Sequence, residues 1–148
     1  MNAPLSLAFN AAVMTMARKV CPAGYDVSDQ APDSLEALNE HIARTGRIVV
    51  SNENSSQTIF GCPEHNYAFR AWHDWTHWCI QAPFTLEGER QVACQQMIDI
   101  TKVFGKNELF YNLIEEEVLG QAEHFAATGE YVTDQVAFAK AYLGSKCA

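Results

Sequence analysis

No apolar run in this chain approaches the roughly 20 residues that cross a bilayer, so a membrane-spanning helix is excluded. A basic tract is also missing: ten Lys and Arg face eighteen Asp and Glu, for a formal charge of −8. Phosphate backbones and anionic lipid surfaces are bound by clustered Lys and Arg, so neither nucleic acid nor a membrane is an expected partner. Five cysteines (Cys21, Cys62, Cys79, Cys94 and Cys147) make an odd count with no C-x-x-C spacing. That argues against a disulfide frame and a zinc knuckle, and for reduced thiols. No basic segment precedes the first apolar stretch and no clean cleavage site follows it, so the expected compartment is the cytoplasm. There is no internal repeat, low-complexity tract or linker, and 148 residues are enough for one domain, 1–148, with a real core.

What the chain does contain is helical periodicity. Leu5, Phe9, Val13, Met16 and Val20 form one stripe over 4–20, which Cys21-Pro22-Ala23-Gly24 ends. Asp33, with Glu36 three residues on, reads as a capping box opening a second helix that closes at Gly46. Further helical patterns cover 66–82, 86–104, 107–127 and 133–143, each stopped by Pro or Gly. Between them, "RIVVSNENSSQTIFG" holds two short β-prone runs, 47–51 and 57–60, around an Asn/Ser turn, a pattern that predicts a small hairpin. The expected fold is mainly α: a single-domain bundle of about five helices with a β-hairpin near 47–60.

All three tryptophans, Trp72, Trp75 and Trp78, fall within "FRAWHDWTHW", with His73 and His77 between them. At about 100° per residue, Phe69, His73, Thr76, His77 and Ile80 share one side of this helix. The tryptophans cover roughly the other side, and Arg70 and Asp74 fill the seam as an i, i+4 pair. A helix bulky nearly all round is buried, so the tryptophans are expected to wedge it into the middle of the bundle. The histidines then face a neighbouring helix.

Two other helices carry polar groups on apolar faces. In 86–104, Glu89 and Gln96 sit among Leu86, Val92, Met97 and Ile100, while Glu87 faces away. In 107–127, Glu117, Gln121 and His124 lie centrally on the face of Phe110, Leu113, Ile114 and Phe125. Glu115, Glu116 and Glu123 project elsewhere in a straight helix and read as surface charge. An unpaired carboxylate on a core-facing stripe costs several kcal/mol, on the order of what a small domain can spare, so it needs a cation, a network or a proton.

Two His at i and i+4 can reach one ion, and carboxylates from facing helices complete a bundle site. The expected metal ligands are His73, His77 and Glu117. Glu89 is a fourth ligand or general base, Asp74 a second catalytic carboxylate, and Gln121 and His124 outer-sphere partners. The ion is a divalent metal, Zn, Fe or Mn. The di-iron alternative prefers E-x-x-H pairs, and none is present: the residue three before His124 is Gln121. His41 and His65 read as surface or loop residues.

Four segments, "FRAWHDWTH" (69–77), "EGE" (87–89), "EVLGQ" (117–121) and "GEYVTDQVAFAKAYL" (129–143), resemble those of small uncharacterised phage and prophage proteins, over roughly residues 57–143. Thr76 stands where many of those proteins carry Gly. The resemblance implies that His73, Asp74, His77, Glu89, Glu117 and Gln121 belong together, and host cytoplasm as the compartment of a phage-encoded chain. It implies no particular activity.

Three functions are compatible with this reading. The leading one is a metal-dependent hydrolase acting on a small molecule of unspecified class. The second is a non-enzymatic structural or interaction protein of phage or prophage origin whose polar core fixes the packing; a homo-oligomer fits either. The third is an HD-type phosphohydrolase built from His41, His73-Asp74 and Asp134, but no basic cluster awaits phosphate.

Overall fold

The computed structural model describes residues 2–146. Helix α1 (Leu7–Val20) leads through strand β1 (Asp26–Ser28) and helix α2 (Leu35–Thr45) to strand β2 (Val49–Ser51). Two long helices follow, α3 (Pro63–Ile80) and α4 (Leu86–Phe104). Next comes one continuous rod: α5 (Glu108–Glu115), a π-helical turn (Glu116–Gly120) and α6 (Gln121–Thr128). Helix α7 (Gln135–Lys146) closes the described chain. The fold is mainly α, as the periodicity predicts, and no described helix is long and apolar enough to cross a membrane.

Local chemistry sets the helix ends. Ser6, Ser34, Thr85 and Asn107 each accept a backbone N–H of the first turn, at 3.1, 3.1, 3.2 and 3.1 Å. The cap of α2 is thus Ser34 rather than Asp33, which leaves the Asp33 carboxylate uncommitted to the helix.

The predicted hairpin does not form. β2 pairs with β1 in parallel, Val50 opposite Val27, with α2 as the crossover. Residues 57–60 make turns instead, because their backbone is taken by the N-terminal segment. Leu5 donates to the Ile59 carbonyl at 2.8 Å, and the buried Asn10 amide donates to the Phe60 carbonyl at 2.8 Å. Gly61 is at φ +80, and a Cβ there would lie 2.6 Å from the Asn2 carbonyl oxygen, so only glycine permits this closure.

Helix α3 is central. It packs on α1, α2, α4 and β2, and its two flanks belong to two apolar clusters. Trp72 is fully buried in the larger cluster, with Phe9, Phe69 and Leu113. Trp75 joins the smaller one, with Leu38, Ile48 and Val50. Trp78 and Ile80 are both 37% exposed, so the helix is embedded along most of its length and emerges at its C-terminal turn. Cys21, Cys62, Cys79 and Cys94 are free thiols; Cys147 lies outside the described residues.

Candidate metal centre

His73 and His77 stand one turn apart on α3 and meet Glu89 in the first turn of α4. The three ligating atoms converge. Glu89 Oε2 lies 3.0 Å from His73 Nε2 and 3.2 Å from His77 Nε2, and the two Nε2 atoms are 3.2 Å apart. A divalent ion with bonds of about 2.1 Å places neighbouring ligands about 3.4 Å apart in a tetrahedral shell, so the triangle is close to the size one ion requires. Together these residues form the one His/Cys/Asp/Glu group among the described residues compact enough to hold an ion.

The other ring nitrogens are committed elsewhere. His73 Nδ1 lies 2.9 Å from Gln96 Oε1, and His77 Nδ1 lies 2.9 Å from the Ala82 carbonyl. A carbonyl oxygen only accepts, so each Nδ1 carries a proton and each ring turns its Nε2 toward Glu89. Two Nε2 atoms and a carboxylate oxygen then crowd one point. Without a cation there, protons must supply the charge. In the metal-free state burial works against an imidazolium at His73, but the Glu89 charge and hydrogen bond, aided by Asp74 and Gln96, raise its pKa to about 9. For Glu89, burial pushes upward, while His73 and His77 bring its carboxyl down to about 2.

The chain enforces this arrangement locally. Gln81 ends α3 in the left-handed region at φ +54, which turns the backbone so that the Ala82 carbonyl folds back onto His77. The Gln81 side chain exchanges hydrogen bonds of 2.9 and 3.0 Å with Asn39 of α2, fixing the turn. Gly88 then lets α4 start against this loop, because a Cβ there would sit 1.8 Å from the Pro83 carbonyl oxygen. Glu89, the next residue, is thereby delivered to the histidines at the positive end of the helix dipole. Phe69 stacks on His73, and Phe84 packs on His77 at 4.5 Å between ring centroids.

Among the expected site residues, His73, His77 and Glu89 come together; the others take different places. Glu117 is not part of the close triangle. It lines an open cleft of about 590 Å³ that also exposes His73 and Glu89. The Gln121 amide is hydrogen-bonded to Glu117, and a longer contact of 3.4 Å reaches Glu116. His124 packs edge-on against Phe138 at 5.5 Å. Asp74 is partly buried and makes no hydrogen bond or ion pair among the described residues; Arg70 donates instead to the Ser51 carbonyl at 2.7 Å. Burial, opposed by His73 and His77, holds the Asp74 pKa up at about 6. The HD arrangement does not assemble, since His41 contacts Arg44 and Asp134 caps α7 through the Ala137 N–H at 2.9 Å.

Glu116 corrects the surface assignment of that residue. It is fully buried, and its Oε2 has no hydrogen-bond partner. The cause is the π-helical turn, where the Gln121 N–H reaches back five residues to the Glu116 carbonyl. The extra residue shifts the helical register, so Glu116 turns inward, whereas Phe125 on the far side is 42% exposed. Burial, tempered by Gln121 and Glu117, lifts the Glu116 pKa to about 7, and Glu117 is raised by burial and by Glu116. Gln96 and the Ala82 carbonyl also escaped recognition as site groups. Gln96 was legible as a polar residue on an apolar face, but a main-chain carbonyl leaves no trace in sequence.

Comparison of the chain with protein-family models, with curated proteins and with solved structures finds no match, so the site's own chemistry must carry the functional reading.

Proposed function

We propose that the protein is a metal-dependent hydrolase in which His73, His77 and Glu89 hold one divalent ion, Zn, Fe or Mn. One observation carries this: three atoms of ligating type, one from each residue, lie within 3.2 Å of one another while both histidine Nδ1 atoms are committed to acceptors. The set is also incomplete in the manner of catalytic sites, with three protein ligands rather than the four of a closed structural centre. His73 and Glu89 are 17% and 19% exposed on the cleft side, while His77 is 1% exposed and closes the back.

A divalent ion held there supplies Lewis acidity and activates water near neutral pH. The chain contributes the rest. Gln96 and the Ala82 carbonyl fix the imidazole tautomers, and Phe69 and Phe84 hold the ring planes. Glu117, on the cleft wall and kept protonated by burial and by Glu116, is placed as a proton donor to a leaving group. Metal analysis of the purified protein by mass spectrometry tests this reading. Close to one equivalent of Zn, Fe or Mn, lost with His77→Ala and with chelation, is expected. No metal, together with a melting temperature indifferent to chelator and to added ions, sinks it.

A further inference from the structure

We infer that the substrate carries a carboxylate, and that Arg70 receives it in a recess beside the histidines. This rests on the hydrolase reading and names its substrate class: a small ester or amide with a carboxylate a few bonds from the bond cleaved. The recess is walled by α3, the π-helical turn and the start of α7, and its volume of about 130 Å³ suits one small group rather than a whole molecule. It shares His73, Glu117, Val118 and Gln121 with the cleft of about 590 Å³, so the two spaces adjoin at the metal centre. Among the described residues, Arg70 is the one Lys or Arg lining either space.

Arg70 is half-buried, and its Nη1 donates to the Ser51 carbonyl at 2.7 Å. Among the described residues it makes no other hydrogen bond and no ion pair, so most of its donors meet no protein acceptor. A charge taken from water without a partner is unfavourable. The neighbouring acids do not make up the loss: burial lowers the Arg70 pKa by more than Asp74 and Glu117 raise it. Asp74 lines neither space, and Asp33 lines only the larger cleft. Glu89 is engaged with the histidines, and Glu117 is held protonated by burial and by Glu116. The other polar groups of the recess, Asn66, Gln121 and Gln135, are neutral amides. A guanidinium fork matches a carboxylate in two parallel hydrogen bonds. A phosphate dianion calls for a second cation, which neither space offers. Arg70 and His73 are three residues apart on α3, hence neighbours on one face of the helix. A carboxylate held by Arg70 therefore leaves the next few atoms of the same molecule at His73 and Glu89, with the rest in the larger cleft.

Calorimetric titration of the chelator-treated full chain tests this with three probes: phenylacetate, phenylacetamide and phenyl phosphate. Chelation removes any ion that could bind the carboxylate in place of Arg70. Phenylacetate should bind about tenfold more tightly than phenylacetamide, or better, and more tightly than phenyl phosphate. Arg70→Gln should abolish the preference for acid over amide, with circular dichroism unchanged. Should that variant fail to fold, Arg70→Lys, which keeps the charge and a donor for Ser51 but loses the planar fork, should weaken phenylacetate several-fold and leave the amide as it was. Equal binding of acid and amide, tighter binding of phenyl phosphate, no binding of phenylacetate, or a preference that survives Arg70→Gln overturns the inference. Metal analysis of the same preparation before chelation separates the two readings. Phenylacetate preference without metal uptake rejects the metal centre alone, and metal uptake without that preference rejects this inference alone.

Discussion

Two polar clusters sit on the walls of one cleft, and they were built in opposite ways. The His73–His77–Glu89 cluster stands on two regular helices, and both histidine Nδ1 atoms have named acceptors. The Glu116–Glu117–Gln121 cluster stands on a π-helical turn and leaves a buried carboxylate oxygen without a partner. In the first, i, i+4 spacing pairs the two histidines, and the turn at Gln81 with the Gly88–Pro83 contact brings Glu89 to them. In the second, one inserted residue overrides the spacing, and neighbouring acids in "EEE" acquire different fates. Glu115 pairs with Lys146 at the surface, Glu116 is buried and Glu117 faces the cleft. Regular helices position ligands; an irregular turn positions charge that the interior would otherwise reject.

The sharpest way to break this contrast is to remove the deeper histidine. His77→Ala should lower metal affinity by about 100-fold or more, read by calorimetry, because ligand loss exceeds the tenfold to hundredfold cost of losing an outer partner. Unchanged affinity would mean that the triangle holds no ion.

Gly88→Ala comes next. The new Cβ collides with the Pro83 carbonyl, so the loop must shift at a cost of about 3 kcal/mol in denaturant unfolding, with metal affinity falling alongside. Gly105→Ala, where a Cβ meets open space, should strain only the local backbone at φ +78 and leave metal affinity intact.

Glu116 then tests the irregular cluster by pH. Its pKa is about 7 in the folded chain against an ordinary 4.5, so the folded state holds the proton more tightly. Stability conferred by this group is complete below 4.5 and declines as pH rises toward 7, by about 3 kcal/mol. Glu116→Gln should flatten that decline and leave the variant more stable than wild type at pH 8. A parallel decline in both proteins would show that Glu116 does not carry it.

Smaller effects sharpen the comparison. Gln96→Leu should weaken metal binding about tenfold by freeing His73 to rotate, while unfolding changes little. Glu115→Gln removes only a half-exposed ion pair with Lys146 and should cost about 0.5 kcal/mol or less. Together with Glu116→Gln it measures, at adjacent positions, what the π-helical turn does to a carboxylate.

The sequence by itself determined most of the helices and the inward face shared by His73 and His77, with Glu89 and Glu117 both offered as their acidic partners; the structure brings Glu89 to them and leaves Glu117 outside the triangle. The helices and the shared face follow from periodicity along a regular helix, a property local to a few residues. Apolar stripes say which face turns inward, and an i, i+4 pair on that face has one direction in which to point. Only the tertiary structure decided the rest. Residues 47–51 could pair with any exposed strand edge, and the choice of β1 over 57–60 came from the N-terminal segment occupying the Thr58–Gly61 backbone. The Ala82 carbonyl entered the site through the left-handed turn at Gln81. Glu116 went inward at the π-helical turn, and at the end of that turn the α7 rings Phe138 and Tyr142 come within about 3.3 Å of where a Gly120 Cβ would lie. These are contacts between segments distant in the chain, and one-dimensional periodicity holds no record of them.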